Sequence, residues 1–153
     1  MEKLTIELVP RTCWFSNVRD HVERTIWDKL RRQTYKDAGY TCQICGGTGS
    51  QWPVECHEIW HYDDNTMIQR LGGLIALCPA CHRVKHMGLA RIHGKAAEAT
   101  KHLAEINAWT IAKAQEYITA QFELWRTRST HEWQLDLAWL AKCGLQIKPK
   151  KRK

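Results

Sequence analysis

The residues that could do chemistry are concentrated in the middle of the chain, where cysteines and histidines occur at the spacing of metal ligands. Cys42 and Cys45 form one Cys-x-x-Cys pair, and Cys78 and Cys81 form a second. Two such pairs separated by a few dozen residues are typical of a tetrahedral zinc site with four thiolate ligands and no open position. We therefore predict a structural Zn²⁺ bound by these four cysteines.

Three histidines lie among these cysteines and predict a second metal site. His82 and His86 are four residues apart, so on a helix their rings lie on the same face. His57 lies on the preceding extended segment and could supply a third ligand. Three protein ligands leave positions open for water and a substrate oxygen, which is the arrangement of a catalytic metal. The simpler alternative is a solvated histidine pair beside a zinc site.

The five residues from 57 to 61, His-Glu-Ile-Trp-His, match the HExxH motif of zinc proteases. That motif works on a helix, whereas here it follows a proline and has little helix-forming sequence around it. A metalloprotease is therefore disfavoured. Glu58 beside a metal-binding histidine is nevertheless a workable acid–base residue in metal-dependent hydrolysis. His61 is a second candidate base if the chain turns after His57.

The segments that carry these ligands predict a strand, a turn, a second strand and a helix. Residues 51–62 begin extended after a proline and contain several aromatic side chains. Residues 71–77 are apolar, with strand character in their second half, and residues 82–89 predict a helix starting directly from the second cysteine pair. This order places His57 on a strand and the other two histidines on the helix.

Upstream of the first cysteine pair, the pattern predicts a strand and a helix. Residues 4–9 alternate like a short strand that ends at a proline. A helix beginning near Thr25 ends at Gly39 and leads into the cysteines.

The C-terminal third is predicted to be helical. Apolar residues recur at three-to-four spacing over residues 95–144, with a break at 107–110. Ser129 and Glu132 form a capping-box pattern for a last helix that ends at Gly144. That helix is expected to bury Trp133, Leu137 and Leu140.

The chain of 153 residues is long enough for one domain with a sizeable core. It begins without the apolar segment of a signal peptide, and nothing later is long enough to span a membrane. We therefore expect a cytoplasmic protein, in a reducing compartment where clustered cysteines more often bind metal than each other. Cys13 and Cys143 belong to neither pair and are expected to be buried small apolar residues.

The formal net charge is +7, but it is unevenly distributed. The last six residues hold five positive charges and no acid, so the remainder of the chain carries only +2. A tail of this composition is expected to be disordered and to contact nucleic acid through its phosphates; a solubilising terminus is the alternative. The cations of this tail are Lys148, Lys150, Lys151, Arg152 and Lys153.

Residues 40–87 resemble the HNH endonucleases of the ββα-metal class, in the version that carries a zinc knuckle. The matching stretches are AGYTCQICG from residue 38, VECHEI from residue 54, and GLIALCPACHRVKH from residue 73. The resemblance implies an α+β fold with a small ββα-metal core. We expect one domain over residues 1–147, with this core at about 40–90, a helical extension at about 95–144, and a basic tail at 148–153.

The resemblance also implies residue roles. The histidines at 57, 82 and 86 would bind one catalytic divalent metal such as Mg²⁺, Mn²⁺ or Zn²⁺. The family's general base, usually His, falls at Glu58, and the Asn that orients the base falls at Gly73. Arg83 and Lys85, beside the ligand histidines, could contact phosphates, although a solvated helix face explains them equally well.

The expected function is therefore a metal-dependent endonuclease that hydrolyses phosphodiester bonds in nucleic acid, with DNA as the expected substrate. The alternative is a catalytically weak or inactive zinc-stabilised module that binds nucleic acid or a protein. Glu58 and Gly73 favour this alternative, whereas the three retained histidines oppose it. The C-terminal helices could complete the core, dimerise or recruit a protein partner.

Overall fold

A computed structural model describes residues 2–13 and 17–144. Within these ranges the chain forms the predicted mixed α+β fold, with one three-stranded sheet and six α-helices. The elements in chain order are a 3₁₀ helix at Val18–Asp20, α1 (Arg24–Asp37), β1 (Glu55–Asp63), β2 (Ile68–Leu77), α2 (Pro79–Lys85), α3 (Met87–Ile92), α4 (Ala96–Asn107), α5 (Ile111–Arg128), β3 (Gln134–Asp136) and α6 (Ala138–Lys142).

The β1–β2 hairpin is the centre of the sheet. The two strands are antiparallel, and their register shifts by one residue between Ile59 and Trp60, where the partner positions are Gly73 and Leu71. Gly72 is thus an extra residue in β2, and a Cβ at this position would collide with the His61 ring. Bulges of this kind bend a hairpin and increase its twist. Because the strand order is β1-β2-β3, β1 has a free edge in the part of the chain that the structure describes.

Each face of the hairpin packs against a separate apolar cluster, as the period-2 alternation of strand side chains requires. On one face, β1 and β2 contact α1 and α6. On the other face, the end of β2 contacts α2, and the same apolar cluster includes side chains of α4 and α5. The fully or nearly buried members of the first cluster include Val18, Trp27, Trp60, Leu71 and Leu140. Those of the second include Leu4, Leu77, Val84, Met87 and Leu103.

The predicted N-terminal strand is not formed. Residues 5–10 have no regular secondary structure and belong to no sheet, because their neighbours are helices. The Glu7 amide donates to the carbonyl of Lys85 at 3.0 Å, the Ile6 amide to the Tyr117 hydroxyl at 3.1 Å, and the Leu4 amide to Asn107 Oδ1 at 3.1 Å. The segment is therefore held against α2, α4 and α5 rather than against another strand.

The C-terminal prediction is correct at its start and wrong at its end. The predicted break is present: Asn107 ends α4, Ala108 is left-handed at φ 54°, and the Thr110 side chain caps α5. Ser129, however, ends α5 instead of starting a helix. The residues after it form β3, which adds to β2 in parallel, so only the short α6 remains of the predicted last helix.

Three further predictions have different outcomes. Cys13 is buried as predicted, whereas Cys143 is exposed, because it lies just beyond the end of the short α6. The basic tail at 148–153 lies outside the described residues. Among the described helices, none has the length and apolar character needed to cross a membrane.

Leu71 provides a test of the hairpin core, because it is 2% exposed in the cluster that joins β2 to α1 and α6. We expect Leu71→Ala to lower the free energy of unfolding by about 2–5 kcal/mol through lost burial and a residual cavity. The matched control Ile92→Ala removes an 80% exposed side chain and should change it by less than about 0.5 kcal/mol. Urea unfolding at a fixed zinc concentration measures both, and equal effects would contradict this packing.

Candidate metal centre

The four predicted zinc ligands lie together. The Sγ atoms of Cys42, Cys45, Cys78 and Cys81 are all within 4.8 Å of one another. A zinc ion with Zn–S bonds near 2.3 Å needs tetrahedral sulfur–sulfur separations of roughly 3.8 Å. The Cys45 and Cys78 sulfurs are 3.6 Å apart, which fits this requirement. These residues form a four-cysteine cluster that could hold a metal ion such as zinc.

Local backbone structure directs each cysteine pair towards this cluster. In the first pair, the Cys45 amide donates to Cys42 Sγ at 3.5 Å, and Gly46 closes the turn with a positive φ of 76°. In the second pair, Cys78 is the N-cap of α2 and accepts from the Cys81 amide at 3.5 Å. Amide donors of this kind favour the thiolate over the thiol, and the thiolate is the metal-binding form.

The pKa of Cys42 shows the balance of these effects. Burial raises it, but hydrogen bonds from the backbone outweigh burial and lower the pKa to about 7. A further polar contact comes from the C-terminal region, since His102 Nε2 on α4 lies 3.1 Å from Cys81 Sγ. The four-cysteine cluster therefore lies at the junction of the first turn, α2 and α4.

The three histidines also converge. One ring nitrogen from each of His57, His82 and His86 lies within 4.8 Å of the others. The Nε2 atoms of His82 and His86 are 3.1 Å apart. Metal–nitrogen bonds near 2.1 Å place two ligand nitrogens roughly 3.0–3.4 Å apart at ordinary coordination angles, so this spacing fits a shared metal.

Two carboxylates orient the histidine rings. Glu55 Oε1 lies 3.1 Å from His82 Nδ1, so the Nδ1 proton points at the carboxylate and the Nε2 lone pair faces His86. Glu7 Oε2 lies 2.5 Å from His57 Nε2. Carboxylate–histidine pairs of this type are typical of metal sites, where they fix the ring and increase its basicity.

His82 on α2 and His86, which directly follows this helix, are suited to metal binding near neutral pH. Desolvation lowers the pKa of His82, an effect that the hydrogen bond from Glu55 opposes. The pKa of His86 is also lowered, first by desolvation of part of the ring and then by the neighbouring His82 and His57. Both rings are therefore neutral at pH 7, which leaves a nitrogen lone pair available for a metal.

Glu58 lies beside the three histidines, although it points to the other face of β1. It shares with them a cavity of about 240 Å³ that opens at the free edge of this strand. Desolvation raises the pKa of Glu58, while the Val18 amide, which donates to Glu58 Oε1 at 3.2 Å, acts in the opposite direction. The guanidinium of Arg19 lines the same cavity and lies over the Trp27 ring.

The free edge of β1 explains how residues on opposite faces of the sheet reach one cavity. A strand paired on both sides would separate His57 from Glu58 with no common space. Because β1 pairs only with β2 among the described residues, the cavity wraps round its edge and reaches both side chains. The N-terminal segment covers this edge from one side, where Glu7 contacts His57. An edge that would otherwise be open to pairing with another chain thus becomes part of a cavity wall.

His61, the other candidate base, is not part of this cavity. The HExxH residues lie on β1, so the helix that a zinc protease requires is absent from this segment. The His61 ring is instead exposed beside Gly72 and lines a separate cavity of about 410 Å³, which reaches the histidine cluster only through His57.

The two cations expected at the phosphate have other partners. Lys85 is 8% exposed, and its ammonium donates to Thr5 Oγ1 at 2.8 Å and lies 4.0 Å from Glu7. Arg83 points outward and forms a 2.9 Å ion pair with Glu98. Lys85 thus supports the N-terminal segment and lies too deep for a solvated helix face.

Several residues of the site were not predicted from the sequence. Glu55 lies two residues before His57 in the sequence, and this closeness could have predicted that it belongs to the site. Glu7, Asn17 and Arg19 lie forty or more positions before the α2 histidines, and no local pattern connects them to the site. The 3₁₀ helix and the N-terminal segment bring them to the cavity.

A scan against protein-family models, a search of curated proteins and a search of solved structures each found no match. The case for a function therefore depends on the geometry of the site and on the sequence motifs.

The four-cysteine cluster leads to a direct test by metal analysis. We expect the wild-type protein to retain at least one tightly bound zinc ion per chain and Cys78→Ser to lose one, with a lower melting temperature, because serine is a poor zinc ligand. Cys13→Ser is the matched control, since Cys13 is buried outside the cluster and its loss should leave the zinc content unchanged. A Cys78→Ser protein with full zinc content would disprove the assignment.

Proposed function

We propose that this protein is a metal-dependent nuclease of the HNH type that hydrolyses phosphodiester bonds in DNA. The observation that carries this proposal is the convergence of three histidines and a half-buried carboxylate in one cavity. His57, His82 and His86 supply three ligands, and Glu58 lines the same cavity without being one of them. Three ligands and a nearby base are the parts that metal-assisted hydrolysis requires.

The division of roles follows from this geometry. A divalent metal at the histidines would polarise the phosphoryl oxygen and stabilise the leaving oxygen. Glu58 would accept the proton of the attacking water, a role favoured by the desolvation that makes its carboxylate more basic than usual. Its position is maintained by the Val18 amide, which supplies the hydrogen bond that the family's Asn side chain would otherwise provide from the position of Gly73.

The resemblance of residues 40–87 to HNH endonucleases supports the same proposal, because the resemblance and the geometry select the same three histidines. The proposed metal, Mg²⁺, Mn²⁺ or Zn²⁺, and the proposed structural Zn²⁺ at the cysteines complete this assignment. The basic tail with its five cations would increase affinity for the phosphate backbone without sequence preference.

A non-enzymatic binding module is the second candidate, and a specific observation favours it. Gly73 has φ 145° and faces the Trp139 ring. The Asn that the family has at this position would therefore be strained here. Such a module would keep the zinc fold and bind nucleic acid or a protein without cutting. A binding function alone, however, does not explain why three histidines share one potential metal site.

Plasmid nicking tests the histidine site. With added Mg²⁺ or Mn²⁺ we expect the wild-type protein to convert supercoiled DNA to the nicked form, and His82→Ala to fall to the background of plasmid without protein. His131→Ala is the matched control, because it removes an exposed histidine outside the cluster and should nick at the wild-type rate. Equal nicking by wild type and His82→Ala, both folded and zinc-loaded, would eliminate the site.

Glu58→Gln tests the proposed base. The amide oxygen still accepts the hydrogen bond from the Val18 amide, but it cannot accept a proton from water. We expect kcat to fall by about 10²- to 10⁴-fold with little change in KM. Glu116→Gln, an exposed substitution on α5, should leave kcat unchanged. If Glu58→Gln keeps the wild-type kcat, another group activates the water.

A further inference from the structure

Trp52 is an exposed aromatic side chain held in place beside the histidine cluster. The residue is 49% exposed, an unfavourable state for so large an apolar ring. Its indole Nε1 donates to Glu55 Oε2 at 3.1 Å. The other oxygen of the same carboxylate, Oε1, accepts from His82 Nδ1. One carboxylate therefore links the Trp52 ring to a residue of the proposed metal site.

Trp52 also lines a cavity that is continuous with this site. The cavity has a volume of about 300 Å³, and both His82 and His86 form part of its wall. Its apolar surface comes partly from Leu89, which is 51% exposed. Arg83 and Lys95 lie on its rim.

The rim places cations beside the aromatic ring. Arg83 and Lys95 both pair with the carboxylate of Glu98, at 2.9 and 3.4 Å, and the other carboxylate of this cavity, Glu55, is bonded to the Trp52 indole. The two cations and two carboxylates balance, so the rim offers a phosphate two nearby cations rather than an excess of positive charge. Aromatic side chains next to cations are the combination with which proteins bind single-stranded nucleic acids, since every base offers a face for stacking.

We infer that the cavity lined by Trp52 is a nucleobase subsite for a single-stranded segment of DNA whose phosphate lies at the three histidines. This inference rests on the proposed nuclease function and extends it by assigning unpaired DNA as the substrate, which in the supercoiled plasmid of the nicking assay means its transiently unpaired segments. The base stacks on the Trp52 indole, while Arg83 and Lys95 attract the neighbouring phosphate. A base inside an intact duplex is stacked on its neighbours and cannot reach this ring.

The test compares a short labelled DNA single strand, an abasic strand of the same length and the matched duplex, using fluorescence anisotropy without added divalent metal. Trp52→Leu should weaken binding of the base-containing strand by about 5- to 150-fold, the range expected for loss of one aromatic stacking contact. Trp52→Phe keeps a stacking surface and should lose much less. The abasic strand should bind the wild-type protein as weakly as the normal strand binds Trp52→Leu.

Tyr40→Leu is the matched control, because Tyr40 is 54% exposed and lines none of the three cavities described around the histidines. It should leave the affinity unchanged. Equal wild-type affinity for the normal and abasic strands would overturn the inference, and this comparison needs no variant to fold. A loss on Trp52→Phe as large as that on Trp52→Leu would show that the bond to Glu55 matters instead of stacking, and would also overturn it.

The duplex measurement and the nicking assay separate the remaining outcomes. Duplex affinity that falls equally in Trp52→Leu would overturn the assignment to a single strand. Because binding is measured without added metal, base-dependent binding in a protein that never nicks DNA would contradict only the nuclease proposal. Nicking that persists without base-dependent binding would contradict only the subsite.

Discussion

The structure depends on one short helix, α2, which carries ligands for both the four-cysteine cluster and the histidine cluster. The α2 helix has seven residues, too few to be stable alone, and yet it contributes to both clusters. Cys78 and Cys81 anchor its first turn in the four-cysteine cluster, while His82 and His86 face the hairpin. Binding free energy at a structural zinc site is folding free energy for the chain around it. An ion at the cysteines would therefore also fix the positions of two histidines.

The parts of the site that could be predicted from the sequence are those encoded over short distances. The Cys-x-x-Cys spacing and the four-residue interval between His82 and His86 are local, and the structure brings both sets together. The hairpin and the break before α5 are also local features. Glu7 could not be predicted, because fifty residues separate it from His57 and its alternating pattern is equally compatible with a strand. The same limit applies to the Val18 amide, since a backbone donor leaves no trace in the sequence.

The predicted last helix shows how tertiary packing overrides a local signal. Ser129 has the spacing of a capping box with the glutamate three residues on, but its amide donates to the carbonyl of Trp125 and ends α5. Once the chain has turned there, Gln134 donates from its amide to the carbonyl of Met67, beside the start of β2. A parallel strand then pairs with the edge of β2 that faces away from β1. The leucines at 137 and 140 still reach the core, as the periodicity predicted.

The charges around the histidines explain why a dication suits this site. Glu7 and Glu55 contact two of the three imidazole rings, and Glu58 lines the cavity that the rings share. Desolvation makes each carboxylate charge costly unless a positive charge compensates it. A divalent metal would stabilise all three carboxylates. It would act on Glu7 and Glu55 through the histidine rings that they contact, and on Glu58 by direct electrostatic attraction. The same metal would also lower the tendency of Glu58 to hold a proton at rest. Whether the site cuts DNA then depends on Glu58 and on the hydrogen bonds that orient it, the one from the Val18 amide among them.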